Sequence, residues 1–178
     1  SFKQLNHLVK DGVHYGLPFA WGPYGLVYNT EFFDKAPQSW NILWDPKHSG
    51  HFSIADYGEI NIYITALAMG YDRNSLGDFD RLNNNAFKEK LATLLGNAHS
   101  LWVGVDTADD LQQKKLASSW GFSIPELKQR GETWKWAYPK EGVPGWIDNH
   151  VLSQDLANKP ELKRIAEEWI NFTISAEF

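Results

Sequence analysis

Cysteine is absent from these 178 residues. That excludes disulfides, thiolate metal ligands and a thiol nucleophile, and it is compatible with either a cytoplasmic or an exported protein. No run approaches the eighteen or more apolar residues of a membrane span. No Lys/Arg cluster stands out and the formal net charge is −5, so nucleic acid and anionic lipid are poor partners. The short signatures of common catalysis are missing too. There is no His-Glu-x-x-His, no Gly-x-Ser-x-Gly and no Gly-x-x-x-x-Gly-Lys-Ser/Thr, and the six histidines are scattered. No catalytic residue, metal or cofactor is therefore expected. No signal peptide is visible, but Ser1 begins abruptly and Phe178 ends just after a predicted helix, so the chain reads as cut at both ends.

Aromatic residues are what the chain has in excess. Nine Trp, seven Tyr and ten Phe make up 15% of it. An indole N–H needs a partner when buried, so many tryptophans point to a surface built for flat contacts, with sugars, nucleobases and organic cations as its usual clients. The apolar share of 43% is enough for a core, and the length suits one domain or one lobe of something larger.

Residues 1–13 are weakly patterned and read as a strand-to-loop remnant or a short helix. Glycines and prolines break the segment from Tyr15 onward, which predicts an irregular crossing followed by a buried strand at Gly25–Tyr28. Ser39 can cap a short helix at Trp40–Trp44. A strand at His51–Ala55 ends at Asp56. Ile60, Tyr63, Ile64 and Leu67 then follow at helical spacing up to Gly70. Phe87, Leu91, Leu94 and Leu95 form a second such face, closed by Gly96. Further expectations are a strand at Ser100–Val103, a helix at Ala108–Lys115, a strand at Leu116–Trp120 and a short helix capped by Ser123 and Glu126. The last helix starts near Pro160 and carries Leu162, Ile165, Ala166, Trp169 and Ile170 on one face. Strands alternating with helices predict an α/β layered domain with a mixed, largely parallel sheet, whose ligands sit beyond the carboxyl ends of the strands.

Three stretches carry the chemistry. Trp134-Lys135-Trp136-Ala137-Tyr138 alternates toward a turn rich in Pro and Gly, and beyond it Trp146 and Asp148 stand two residues apart. In extended backbone that spacing points a ring and a carboxylate to the same side. A ring face attracts positive charge and a carboxylate accepts hydrogen bonds from it, so the pair suits an organic cation; a core Trp beside a turn-capping Asp is the plainer alternative. Asp56 and Glu59 place two carboxylates at a strand-to-helix junction. They could hold one ammonium group, or serve as N-cap and N3 of the helix. Ser118-Ser119-Trp120-Gly121 is the third, either a ligand-facing ring or a core Trp at a strand end. A carboxylate pair among tryptophans also fits a carbohydrate-binding or glycosidase-like protein.

The order of these motifs resembles the periplasmic spermidine/putrescine-binding proteins, the solute-binding components of polyamine ABC importers. The likeness begins with Leu17–Asn29 and Ser39–Pro46 and continues through Asp56–Glu59, Leu67–Tyr71, Trp120, Pro139–Gly142, Trp146–Asp148 and Trp169–Phe172. The resemblance implies a type II periplasmic-binding-protein-like α/β fold of two lobes. Residues 1–17 would be a hinge-proximal remnant of the first lobe and 18–140 the second. Residues 141–178 would be the hinge return and the C-terminal helix of the first. It implies that Asp56, Glu59 and Asp148 hold ammonium groups while Trp120 and Trp146 pack along the methylene chain. It also implies periplasmic localisation and a membrane permease as partner. Where the family often has Trp-Asn-Gly, this chain has Trp120-Gly121-Phe122. With most of the first lobe missing, the face of the last helix would lack its cover, and the isolated chain is expected to self-associate.

Overall fold

The computed structural model describes residue 5 and residues 8–175. In chain order the strands are β1 (Val9–Lys10), β2 (Val13–His14), β3 (Leu17–Pro23), β4 (Gly25–Asn29), β5 (Phe52–Ala55), β6 (Ser100–Trp102), β7 (Leu116–Ser119), β8 (Trp134–Trp136) and β9 (Gly145–His150). The α-helices are α1 (Gly58–Ala68), α2 (Phe79–Leu82), α3 (Asn85–Asn97), α4 (Ala108–Leu111), α5 (Ile124–Gln129) and α6 (Pro160–Thr173). The chain falls into two compact units. One is continuous, Pro23–Pro144; the other is split, Ser1–Gly22 with Gly145–Phe178.

The continuous unit is a three-layer α/β sandwich around a five-stranded sheet of order β6-β5-β7-β4-β8. The sheet is mixed: β5 runs parallel to β6 and β7, and β4 antiparallel to β7 and β8. Its central strands are buried on both faces. They therefore read as continuous runs, Gly-Leu-Val-Tyr-Asn in β4 and Phe-Ser-Ile-Ala in β5, rather than as alternation. Leu26, Tyr28, Ile54 and Leu116 face a core with Trp40, Ile60, Ile64, Leu67 and Leu94, supplied by α1, α3 and a 3-10 turn at Trp40–Trp44. Val27 and Ala117 point the other way, onto Ala108, Leu111 and Leu127 of α4 and α5. The unit's ends meet: the Tyr24 N–H donates to the carbonyl of Pro144 at 2.9 Å.

In the split unit, Asp11 (φ 53) and Gly12 (φ 76) make the tight turn of the β1–β2 hairpin, and both left-handed positions are what such a turn needs. β3 pairs with β9. The ring of His150 on β9 packs on Phe19 of β3 at 4.5 Å between centroids, and its Nε2 lies 3.0 Å from the Thr173 hydroxyl of α6. The outer side of α6 leaves Leu162, Ile165 and Trp169 exposed, Trp169 to 60%.

Several local expectations need correction. The segment 17–23 is strand, not an irregular crossing; Pro18 and Pro23 are tolerated because a two-stranded sheet is edge on both sides. Helix α3 runs through Gly96 to Asn97, and Leu95 faces solvent. Helix α4 stops at Leu111 rather than Lys115 because Gln113 turns to φ 62 and gives its N–H to Glu132 Oε1. Ser123 precedes α5 as expected but does not cap it, since its hydroxyl donates to Asp106. The earliest residues of the predicted 1–13 remnant lie outside the described residues.

Candidate ligand-binding site

One edge of the continuous unit's sheet collects the ends of β5, β6, β7 and β8 together with the start of β4, because β4 runs against β7 and β8. On that edge Asp56 follows the end of β5 and Trp120 the end of β7, and the two strands pair in parallel at Phe52–Leu116 and Ser53–Ala117. Asp56 is exposed and its N–H is held by the Trp102 carbonyl at 2.7 Å, so the carboxylate is set by strand pairing. The Trp120 ring is half-buried and meets the Tyr24 ring edge-on at 4.6 Å. Beneath it the Tyr24 hydroxyl donates to Ser118 Oγ, which also accepts the Ala55 N–H. Burial pushes the Tyr24 phenol well above its ordinary range, so it remains a neutral donor.

The capping explanation for Asp56 and Glu59 does not hold. Tyr57 occupies the N-cap position in extended backbone and no side chain caps α1. Asp56 lies one residue before the N-cap, and Glu59 falls at the second helical position. Among the described residues neither carboxylate is in an ion pair. Glu59 shares a helical stripe with Ile62 and Tyr63 and with them lines a cavity of about 340 Å³ that also includes Leu76, Phe79 and Phe87. Tyr63, expected in the core, borders this cavity.

Sequence reasoning missed Tyr57 and Asp106. The Tyr57 hydroxyl donates to the Gly104 carbonyl at 3.1 Å and accepts the Gly104 N–H at 3.0 Å, clasping the loop after β6 to the start of α1. Replacing Tyr57 by Phe removes both bonds and should lower unfolding free energy by about 1 kcal/mol, read from urea melts. The Asp106 carboxylate, 2% exposed, accepts hydrogen bonds from Ser119, Trp120 and Ser123. The doubled serine in a buried strand was the one available hint. No Lys or Arg occurs in 56–59, 103–107 or 120–124, while Val103, Val105, Phe122 and Tyr138 stand exposed on the same edge. Such an edge offers a carboxylate, ring faces and an apolar rim.

In the split unit, Trp146 and Asp148 both lie on β9 with one residue between them, hence on one face. Trp146 is half-buried and lies over Gly22, where a Cβ would come within 2.8 Å of the ring; Asp148 is exposed. Asp56, Glu59 and Trp120 belong to the continuous unit, and Trp146 and Asp148 to the split one. Among the described residues no cluster of His, Asp and Glu could hold a metal, and no helix is long and apolar enough to cross a membrane.

Relatives share this architecture. The spermidine/putrescine-binding periplasmic protein of Salmonella typhimurium is 24% identical over 160 residues, covering 88% of this chain and 45% of that protein. The chain thus spans less than half the length of that curated relative. A structure from Listeria monocytogenes, assigned as a spermidine/putrescine ABC transporter, matches with a TM-score of 0.73 at 26% identity, over 96% of this chain and 51% of that one. The periplasmic binding protein AfuA of Actinobacillus pleuropneumoniae, with exogenous fructose-6-phosphate bound, matches with a TM-score of 0.60 at 21% identity, over 91% and 50%. The α/β fold, type II periplasmic-binding-protein-like, is therefore the one the resemblance implied, and it carries more than one kind of solute. The family model for bacterial extracellular solute-binding proteins matches residues 1–178. With the match running the length of the chain, the protein belongs to the bacterial extracellular solute-binding proteins.

Proposed function

We propose that this chain is part of the solute-binding component of an ABC import system and takes a di- or polyamine such as putrescine or spermidine, or a similar organic cation. The observation that carries this reading is that the exposed Asp56 carboxylate and the half-buried Trp120 ring follow the neighbouring parallel strands β5 and β7. An ammonium beside Asp56 gains a charge-assisted hydrogen bond, and its methylenes gain ring contact. The resemblance adds Glu59 on the continuous unit, and Asp148 and Trp146 on the split one, as proposed carboxylate and ring contacts. The two compact units, meeting at Gly22/Pro23 and Pro144/Gly145, support assigning 18–140 to a second lobe, with 1–17 and 141–178 belonging to a first. The relatives' periplasmic setting supports the same compartment here, with a membrane permease as partner. Transport proteins of this family bind and release their solute without covalent chemistry, and nothing in the proposed role requires a catalytic residue. The exposed face of α6 supports self-association of the isolated chain.

Calorimetric titration of the full-length protein tests the ligand class. A di- or polyamine should bind at micromolar affinity or tighter, about −8 kcal/mol or better, with neutral sugars and sugar phosphates silent. Tight oligosaccharide binding without an amine response would favour the carbohydrate-binding or glycosidase-like alternative instead.

A further inference from the structure

Asp106 sits in the loop between β6 and α4, and its side chain is sealed from solvent, with the residue 2% exposed. A carboxylate removed from water needs compensating donors. Among the described residues no Lys, Arg or His forms an ion pair with it; its donors all come from one turn. Oδ1 accepts the Trp120 N–H at 2.8 Å. Oδ2 accepts the Ser119 hydroxyl at 2.8 Å, the Ser123 N–H at 3.2 Å and the Ser123 hydroxyl. The Ser119 oxygen in turn accepts the Gly121 N–H at 2.7 Å. Every residue of the Ser119–Ser123 turn except Phe122 is thereby tied, directly or through one hydroxyl, to a single buried anion.

Ser123 precedes α5 in helical backbone, and its hydroxyl donates to Asp106. What the turn carries is Trp120, whose backbone is pinned at its N–H while its ring rests edge-on against Tyr24. From this geometry we infer that Asp106 is a positioning residue for ligand binding: its buried carboxylate fixes the turn after β7 and so sets the plane that the Trp120 indole presents. The inference rests on the cation-binding reading above, but its central claim concerns the ring and is measurable without ligand. It also separates by role two carboxylates that follow the adjacent strands β5 and β6. Asp56 is exposed and available to a cation, whereas both Asp106 oxygens are committed to protein donors.

Asp106→Asn is the informative change because shape is kept while the donor pattern is inverted. An amide offers one acceptor oxygen and turns an NH₂ group toward the other donors, so the Trp120 N–H and the serine hydroxyls cannot all be accommodated. Ser123→Ala is the milder companion, removing one hydroxyl while keeping the backbone bond, and it serves if the Asn variant does not fold. In the full-length protein labelled with 5-fluorotryptophan, the Trp120 fluorine resonance, assigned by Trp120→Phe, should shift or broaden in both variants without ligand. Putrescine and spermidine affinity should fall about tenfold or more in Asp106→Asn and about threefold in Ser123→Ala. In a Trp120→Ala background neither change should lower affinity further, because the ring through which they act is gone. An unmoved Trp120 resonance in a folded variant overturns the inference. So does an equal affinity loss with and without the indole, which would mark a general structural or electrostatic effect. If the parent protein binds neither amine, the ligand reading fails on its own, and the fluorine spectra still decide whether Asp106 sets the ring.

Discussion

Asp56→Asn should weaken diamine binding by the full-length protein about 10- to 100-fold, while its thermal unfolding stays within about a degree of the parent. The affinity figure follows from a charge-assisted hydrogen bond of about 1.5–3 kcal/mol, with tenfold per 1.4 kcal/mol. Stability is spared because the side chain caps no helix and makes no ion pair among the described residues. Exposed positions of that kind change stability by about 0.5 kcal/mol or less. Asn keeps the volume and an acceptor oxygen, so the loss reports charge. Glu59→Gln is the matched comparison. A loss of similar size would show that Glu59 reaches the same cation from its stripe with Ile62 and Tyr63. Unchanged affinity would assign it to the cavity shared with Phe79 and Phe87. Unaltered affinity in Asp56→Asn itself would remove the central carboxylate from the site.

The largest expected loss of stability is at Gly121. Its φ of 88 lies where a side chain strains the backbone, at about 1–3 kcal/mol. A Cβ there would also fall 2.4 Å from Cζ2 of Trp136. That indole cannot simply retreat, because it also covers Gly25, where a Cβ would come within 2.7 Å of Cζ3. Overpacking of this kind costs about 1–3 kcal/mol, so Gly121→Ala should lose about 3 kcal/mol or more in urea unfolding. Gly131 provides the control. It has φ 89 and nothing within 4 Å of a new Cβ, so Gly131→Ala should show the backbone cost alone. Equal losses at the two positions would mean that Trp136 does not press on Gly121.

The course of the chain was legible where burial and periodicity agree. Ile60, Ile64 and Leu67 announced α1, and the apolar runs before Tyr28 and Ala55 announced β4 and β5, since a strand buried on both faces has no polar face to interrupt it. Leu17–Pro23 misled because its prolines argue against a central strand but not against a two-stranded edge. At the site, the type of each group was readable and its neighbourhood was not. Trp146 and Asp148 were placed on one face because a strand has period two. That Asp56 and Trp120 follow neighbouring strands depends on the pairing of β5 with β7, a long-range contact without local trace. The capping alternative for Asp56 and Glu59 had the right letters one residue out of place, since Tyr57 holds the cap position. Asp106 was invisible for a related reason: a lone aspartate before a short helix looks like many others until its donors are known.

The bond between the Tyr24 N–H and the Pro144 carbonyl has a meaning at the level of genes. A stretch that leaves the polypeptide where it enters can be gained, lost or exchanged as one piece of DNA. Only two junctions must be matched, Gly22 to Pro23 and Pro144 to Gly145. Gly22 and Gly145 themselves approach closely, with a Cβ on Gly145 coming 3.8 Å from the Gly22 oxygen, so a host lacking the stretch could be rejoined by a short bridge. Recombination at those points would transplant Asp56, Trp120 and the Asp106 anchor together. New solute preferences could then spread by cassette exchange, without each lineage rebuilding the turn residue by residue.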